Sequence, residues 1–258
     1  MKNILKIICI AVLFAGINPV SAAEKTSLLK VDWSFKGIFG KFDRGSLQRG
    51  YQVYTEVCAS CHSMKYLSYR NLAEKGGPEF SIEQVKAIAA SFEVTDGPNS
   101  DGEMFERPAK LSDKFVKPYE NVKAAQAANG GAYPPDMSVL AKARSGGVDY
   151  IYSVLLGYED PPSGVTLDDG VYYNKYMYGN NIKMAQPLSD GLIEYTDGTI
   201  ASEEQMAKDV STFLMWAAEP HLEARHKMGF KAILYLIILT ILVYFSMKKI
   251  WSRIESKV

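Results

Sequence analysis

The chain has 258 residues, 47% of them hydrophobic, and its 29 basic and 29 acidic side chains leave a formal net charge of zero. That balance gives no basic surplus of the kind a nucleic-acid partner calls for. Three cysteines and three histidines exclude a disulfide-stapled scaffold and leave little for a protein-only metal cage. At the N-terminus, Lys2 and Lys6 precede the mostly apolar run Ile7 to Ile17, and Ser21-Ala22-Ala23 offers small residues for cleavage. This pattern predicts a signal peptide over 1–23 that removes Cys9 on export. The run is too short for a comfortable membrane span. No arginine precedes Arg44, which argues against an Arg-rich mitochondrial presequence.

Leu47, Tyr51, Tyr54 and Cys58 recur at helical spacing. They lead into Cys58-Ala59-Ser60-Cys61-His62, the C-x-x-C-H pattern of covalent c-type haem attachment. Two thiols at this spacing can each add to a haem vinyl group, and the adjacent histidine can reach the iron from the proximal side. If the helix continues one more turn, the three side chains share a face. A redox dithiol or half a zinc site has the same C-x-x-C. Zinc wants about four ligands, and the mature chain adds only His221 and His226. A thioredoxin-like dithiol wants a βαβ setting, and no strand alternation surrounds this one.

Ser81 with Gln84 forms a capping box for a helix carrying Ile82, Val85, Ile88 and Ala89. A second helix is predicted from Tyr119 to Asn129, stopped by Gly130-Gly131. Asp136 is placed to cap a third, ending at Gly146-Gly147, and Asp149 to start a fourth, closed by Gly157. Ser202 opens a fifth, with Met206, Val210, Phe213, Leu214 and Ala217 on one stripe. Thr95–Pro118, Glu159–Asp169 and Tyr173–Thr199 read as long irregular loops, which are uncommon and often functional. A haem supplies a large apolar surface against which such loops can order. The expected fold is mainly α, a cytochrome c-like haem domain with long loops plus one C-terminal transmembrane helix.

Gly229 to Met247 carries one charge, Lys231, and the part from Ala232 to Met247 would rise about 24 Å. Lys231 and Lys248 can snorkel to extend it towards the roughly 30 Å bilayer core. The predicted organisation is a signal peptide over 1–23 and an extracytoplasmic domain over 24–224. A juxtamembrane segment and anchor follow over 225–247, then a short basic cytoplasmic tail over 248–258. Between Glu24 and Glu223 acids outnumber bases by about eight, a surface that would steer a basic partner.

For a sixth iron ligand, histidine is nearly excluded, because His221 and His226 adjoin the span. Methionine suits electron transfer, since His/Met ligation raises the haem potential. Met64 is too close to His62, and Met206, Met215 and Met228 belong to the last helix or follow it. Met104, Met137, Met177 and Met184 remain, and spacing does not choose among them.

Arg49-Gly50-Tyr51-Gln52-Val53-Tyr54, running into Val57-Cys58-Ala59-Ser60-Cys61-His62-Ser63-Met64, resembles the haem-attachment region of the cytochrome c1 family. These are the haem c subunits of cytochrome bc1 complexes. The resemblance continues through Asp96-Gly97-Pro98-Asn99, Ala127-Ala128-Asn129-Gly130-Gly131-Ala132-Tyr133-Pro134-Pro135-Asp136, Gly146-Gly147-Val148-Asp149-Tyr150 and Trp216-Ala217-Ala218-Glu219-Pro220. It covers nearly all of the mature chain. It implies one haem c on Cys58 and Cys61, with His62 as proximal ligand. Gly179 to Leu188 is similar to the family's distal loop, which implies Met184 as the other axial ligand. Arg144 matches the arginine that faces a haem propionate, against the alternative of a helix-end arginine on the last carbonyls.

The resemblance further implies an electron carrier that is no enzyme on its own. It would take one electron from a Rieske iron–sulfur protein and pass it to a cytochrome c, while quinol is oxidised on cytochrome b. The implied setting is a bacterial inner membrane, crossed once, with the haem domain in the periplasm. Lys183 stands where the family usually has a small residue, and the extra cysteines of some relatives are missing.

Overall fold

The computed structural model describes residues 26–255. The predicted leader with Cys9, and residues 256–258 of the predicted tail, lie outside the described residues. The described chain is mainly helical, as expected, and ends in a long apolar helix.

The first helix, α1 (Arg44–Glu56), starts where the Asp43 carboxylate accepts the Ser46 amide at 2.8 Å. It crosses α6 (Glu203–Ala218), opened as predicted by Ser202, whose hydroxyl accepts the Gln205 amide at 3.2 Å. The predicted stripe of Met206, Val210, Phe213, Leu214 and Ala217 is buried throughout. The two backbones meet at Gly50. A Cβ there would sit 2.1 Å from the Asp209 carbonyl oxygen and 2.7 Å from the Phe213 Cβ, so only glycine permits the approach.

Asp209 is fully buried at this crossing. Its carboxylate accepts from Ser46 Oγ at 2.6 Å, Arg49 Nε at 2.8 Å and Gln205 Nε2 at 2.9 Å. A buried charge persists only when it is paired and hydrogen-bonded in this way. Tyr51, Tyr54, Phe115 and Phe213 then form an aromatic cluster of edge-to-face, tilted and stacked pairs, with ring centroids 5.8 to 6.1 Å apart.

Helix α2 (Ile82–Ala90) carries the predicted reciprocal capping box of Ser81 and Gln84. It buries Val85 and Ala89, while Ile82 points out. The predicted irregular stretch from Thr95 contains a ribbon instead. Strands β1 (Glu93–Asp96) and β2 (Phe105–Pro108) pair antiparallel, Glu93 opposite Pro108 and Asp96 opposite Phe105. Both strands are largely solvated, so they lack the alternation that would mark them. Arg107 holds the ribbon by reaching both Asp96 and Asp113.

Helix α3 (Val122–Ala128) is capped by Asn121 and is shorter at its start than predicted. Helix α4 (Leu140–Ala143) is a single turn. Asp136 does not cap it, because its carboxylate is taken by Ser63 Oγ, the Lys65 amide and the Ser138 amide. Helix α5 (Gly147–Leu155) begins before Asp149. That carboxylate does not cap either, but accepts from the Trp33 indole at 2.5 Å and Lys36 at 3.3 Å. A second short ribbon, β3 (Tyr172–Tyr173) with β4 (Asn181–Ile182), interrupts the last long loop.

Helix α7 (Leu222–Glu255) runs unbroken for 34 residues, about 51 Å at roughly 1.5 Å per residue. It starts before the predicted apolar run and continues past Met247. Among the described residues it is the one helix long and apolar enough to cross a membrane. Glu223 ties its start to the domain, accepting from the Phe42 amide at 3.0 Å and from Arg44 at 2.7 Å.

Candidate haem site

The cysteine motif leaves α1 through a tighter turn than expected. The Val57 amide still donates to the Val53 carbonyl at 3.0 Å. Ser60 Oγ then donates to the Val57 carbonyl at 2.8 Å, the group that a continued α-helix would offer to the Cys61 amide. The Cys61 amide instead donates to the Cys58 carbonyl at 3.1 Å, a 3-10 bond, while the His62 amide reaches the same carbonyl at 2.9 Å. Cys58–Ser60 is therefore a 3-10 turn, and the expected extra α-turn does not form, because a serine hydroxyl competes with the backbone.

His62 is nearly buried, at 9% exposure, and its Nδ1 lies 2.8 Å from the Pro135 carbonyl oxygen. A carbonyl only accepts, so Nδ1 carries the proton and Nε2 keeps the lone pair free. Burial lowers the tendency of the ring to protonate, against the opposing Pro135 bond. A neutral imidazole with one nitrogen committed is a prepared metal ligand.

The Pro135 segment is itself laced to the motif. The Met137 amide donates to the Ser63 carbonyl at 2.8 Å, and the Tyr66 amide to Ser138 Oγ at 3.0 Å. Asp136 bridges Ser63 and Lys65. Tyr54 Oη donates to the His62 carbonyl at 3.1 Å from below.

Cys58 and Cys61 are half-buried free thiols, not joined to each other. Burial, with Cys61 beside it, pushes the Cys58 thiol up to about 12. Among the described residues no cluster of three or more His, Cys, Asp and Glu forms around a common point. The half-zinc-site alternative thus finds no completing ligands there.

The four candidate methionines fall into different surroundings. Met104 is solvent-exposed, and Met137 is buried in the core. The Met177 sulfur accepts the Tyr150 hydroxyl at 3.1 Å. Met184 is half-buried just after β4, and its carbonyl accepts the Tyr158 hydroxyl at 3.0 Å. Beside it, Lys183 Nζ donates to the Gly130 carbonyl at 3.0 Å. Fully buried Asn174 anchors the segment upstream, donating to the Val154 carbonyl at 2.7 Å and accepting the Tyr176 and Met177 amides.

Arg144 is exposed at the end of α4, its Nη1 3.4 Å from the Ala143 carbonyl. Among the described residues no carboxylate pairs with it. Pro135 and Tyr158 contribute in ways the sequence did not single out. Pro135 acts through its backbone and has no side-chain signal.

Two thiols three residues apart on one turn, beside a neutral imidazole oriented by a carbonyl, are the arrangement of a c-type cytochrome. The donor set fits a haem c attached through both sulfurs. A family model, the Cytochrome C1 family, matches residues 33–254, and the chain belongs to that family, the haem-carrying subunits of bc1 complexes.

A protein named cytochrome b/c1 from Bradyrhizobium diazoefficiens is 52% identical over 239 residues. The match covers 85% of this chain and 35% of that longer protein. The potato protein cytochrome c1-2, heme protein, mitochondrial, is 50% identical over 225 residues, covering 87% of this chain and 85% of its own length. Cytochrome c1 of Rhodospirillum rubrum is 46% identical over 245 residues, with 89% of each chain covered.

Proposed function

We propose that the chain relays single electrons within a ubiquinol–cytochrome c reductase, from a Rieske iron–sulfur protein to a cytochrome c acceptor. The observation that carries this reading is the His62 imidazole held by the Pro135 carbonyl within a C-x-x-C-H turn. When bound, haem c supplies reversible one-electron iron chemistry at a potential set by its ligands.

The chain's own residues do the rest. Cys58 and Cys61 hold the group covalently. His62 would offer its free Nε2 to the iron, and Met184 would supply a thioether ligand from the loop after β4. Tyr158 fixes the Met184 backbone, which limits how far the thioether can retreat. Arg144 would answer a propionate, a role that its exposed position supports. No bond of a substrate is broken by the chain, which acts as a carrier and not as an enzyme on its own.

Cytochrome b is the expected neighbour, a reading supported by the relative whose name joins b and c1. Residues 1–23 are read as a leader, 24–224 as the haem domain, 225–247 as the single membrane crossing and 248–258 as a cytoplasmic tail. On this reading the haem domain faces the periplasm of a bacterial cell. The acidic excess of the domain suits a basic cytochrome c.

The test is purification of the tagged chain from detergent-solubilised membranes. Co-purification of b-type haem, with quinol reducing haem c only when the Rieske protein is present, supports the relay. A c-type spectrum without cytochrome b would instead indicate a free-standing tethered cytochrome.

A further inference from the structure

Ahead of α1 the chain makes a tight excursion at Trp33–Lys41. Its root is buried: Trp33, Phe35 and Phe42 are each under 5% exposed. The Lys36 amide donates to the Trp33 carbonyl at 3.0 Å, Gly40 to Gly37 at 3.2 Å and Lys41 to Ser34 at 3.0 Å. Gly37 has a positive φ of 81°, and a Cβ on Gly40 would lie 2.3 Å from the Phe35 carbonyl. The turn therefore requires glycine at both places.

Its tip is the reverse of its root. Ile38 is 72% exposed and Phe39 71%. Two adjacent large apolar side chains on a stiff tip are costly to leave in water.

The tip is also placed against α7. Phe39 and Phe230 rings lie 6.0 Å apart at 57°. Phe230 is eight residues, about 12 Å, along the helix from Leu222, and only Lys231 separates it from the apolar stretch Ala232–Met247. The Phe42 amide and Arg44 both bind Glu223, so the turn and the helix start are fixed to one another. Exposed Lys41, Lys227 and Lys231 surround the same level in sequence, as suits a headgroup layer carrying anionic lipid.

We propose that Ile38 and Phe39 form a wedge that enters the lipid interface beside α7 and, with it, sets the orientation of the haem domain on the membrane. The occupant is lipid because the tip continues the surface of the apolar stretch of α7, which is exposed all round. The wedge and the crossing helix make two separate points of attachment, so the domain cannot rotate freely about its anchor. The inference rests on α7 lying in the membrane, and its test separates the two.

Full-length haem-loaded protein carrying Ile38→Cys, Phe39→Cys or Leu236→Cys is spin-labelled and reconstituted in phosphatidylcholine–phosphatidylglycerol vesicles. Collision with oxygen is compared with collision with a water-soluble nickel chelate, and haem content checks folding of each variant. The expected result is a several-fold preference for oxygen at Ile38 and Phe39, smaller than at Leu236 but of the same sign. Nickel preference at the tip with oxygen preference at Leu236 overturns the wedge and leaves the anchor intact. Exclusion of both probes from the tip overturns lipid in favour of a protein occupant. Nickel preference at Leu236 overturns the anchor and the wedge with it.

Discussion

Along the α1–α6 crossing, Leu47, Val53, Met206 and Phe213 are fully buried, and the one charge among them, Asp209, has every acceptor position answered by protein. In the loops between α3 and α6 the side chains around the proposed distal ligand are held differently. Met184 is half-buried and steadied through its carbonyl by Tyr158, Lys183 leans on a single carbonyl, and Arg144 is exposed. The crossing obtains its order from dense packing of polypeptide on polypeptide. The loops obtain theirs from isolated hydrogen bonds to backbone carbonyls. Rigidity is concentrated in the floor, and chemical adaptability in the loops above it.

That contrast can be broken first at Asp209. Asp209→Ala strips Ser46 of its acceptor and leaves Arg49 with Asp197 alone, and the loss should be about 3–5 kcal/mol, as for other broken buried pairs. Denaturant unfolding of the haem-loaded protein measures it, and a loss under 1 kcal/mol would show that the crossing does not depend on this network. Gly50→Ala forces a methyl against the Asp209 carbonyl and should cost about 1–3 kcal/mol, read from the same titration. Tyr158→Phe touches only the Met184 carbonyl and should cost about 0.5–1.5 kcal/mol. It should nevertheless weaken methionine ligation, seen as easier binding of added imidazole to the ferric haem. A Tyr158→Phe variant that destabilises the fold as much as Gly50→Ala would erase the distinction between floor and loops.

The smallest effect concerns acid. Burial opposes ionisation of Asp149, but the Trp33 indole and Lys36 outweigh it and hold its carboxyl below its ordinary 3.8. A carboxylate with a depressed folded value contributes stability above its ordinary value and loses it as pH falls through the folded one. Stability should therefore decline below about pH 4, and Asp149→Asn should flatten that part of the curve. Denaturant midpoints at a series of acidic pH values decide this.

The sequence made the helices with strong local signals legible: the Ser81 and Ser202 caps and the Met206 to Ala217 stripe all recur in the structure. It misassigned Asp136 and Asp149, because a cap signal is local while both carboxylates are recruited by distant groups, Ser63 and Trp33. The ribbon of β1 and β2 was illegible because neither strand has a buried face. The cysteine motif was plain, but its turn was not, since one hydroxyl on Ser60 decides between α and 3-10 geometry. Pro135 was invisible because a backbone carbonyl carries no residue code.

The central claim is that His62 and Met184 together ligate one haem held by Cys58 and Cys61. It is tested most directly by a redox and optical titration of the membrane-extracted protein, wild type beside Met184→Leu. The account predicts a clearly positive midpoint potential and a far-red charge-transfer band in the oxidised wild type, with the band lost and the potential sharply lower in Met184→Leu. A variant with unchanged band and potential would contradict it, and would return the distal ligand to the other methionines.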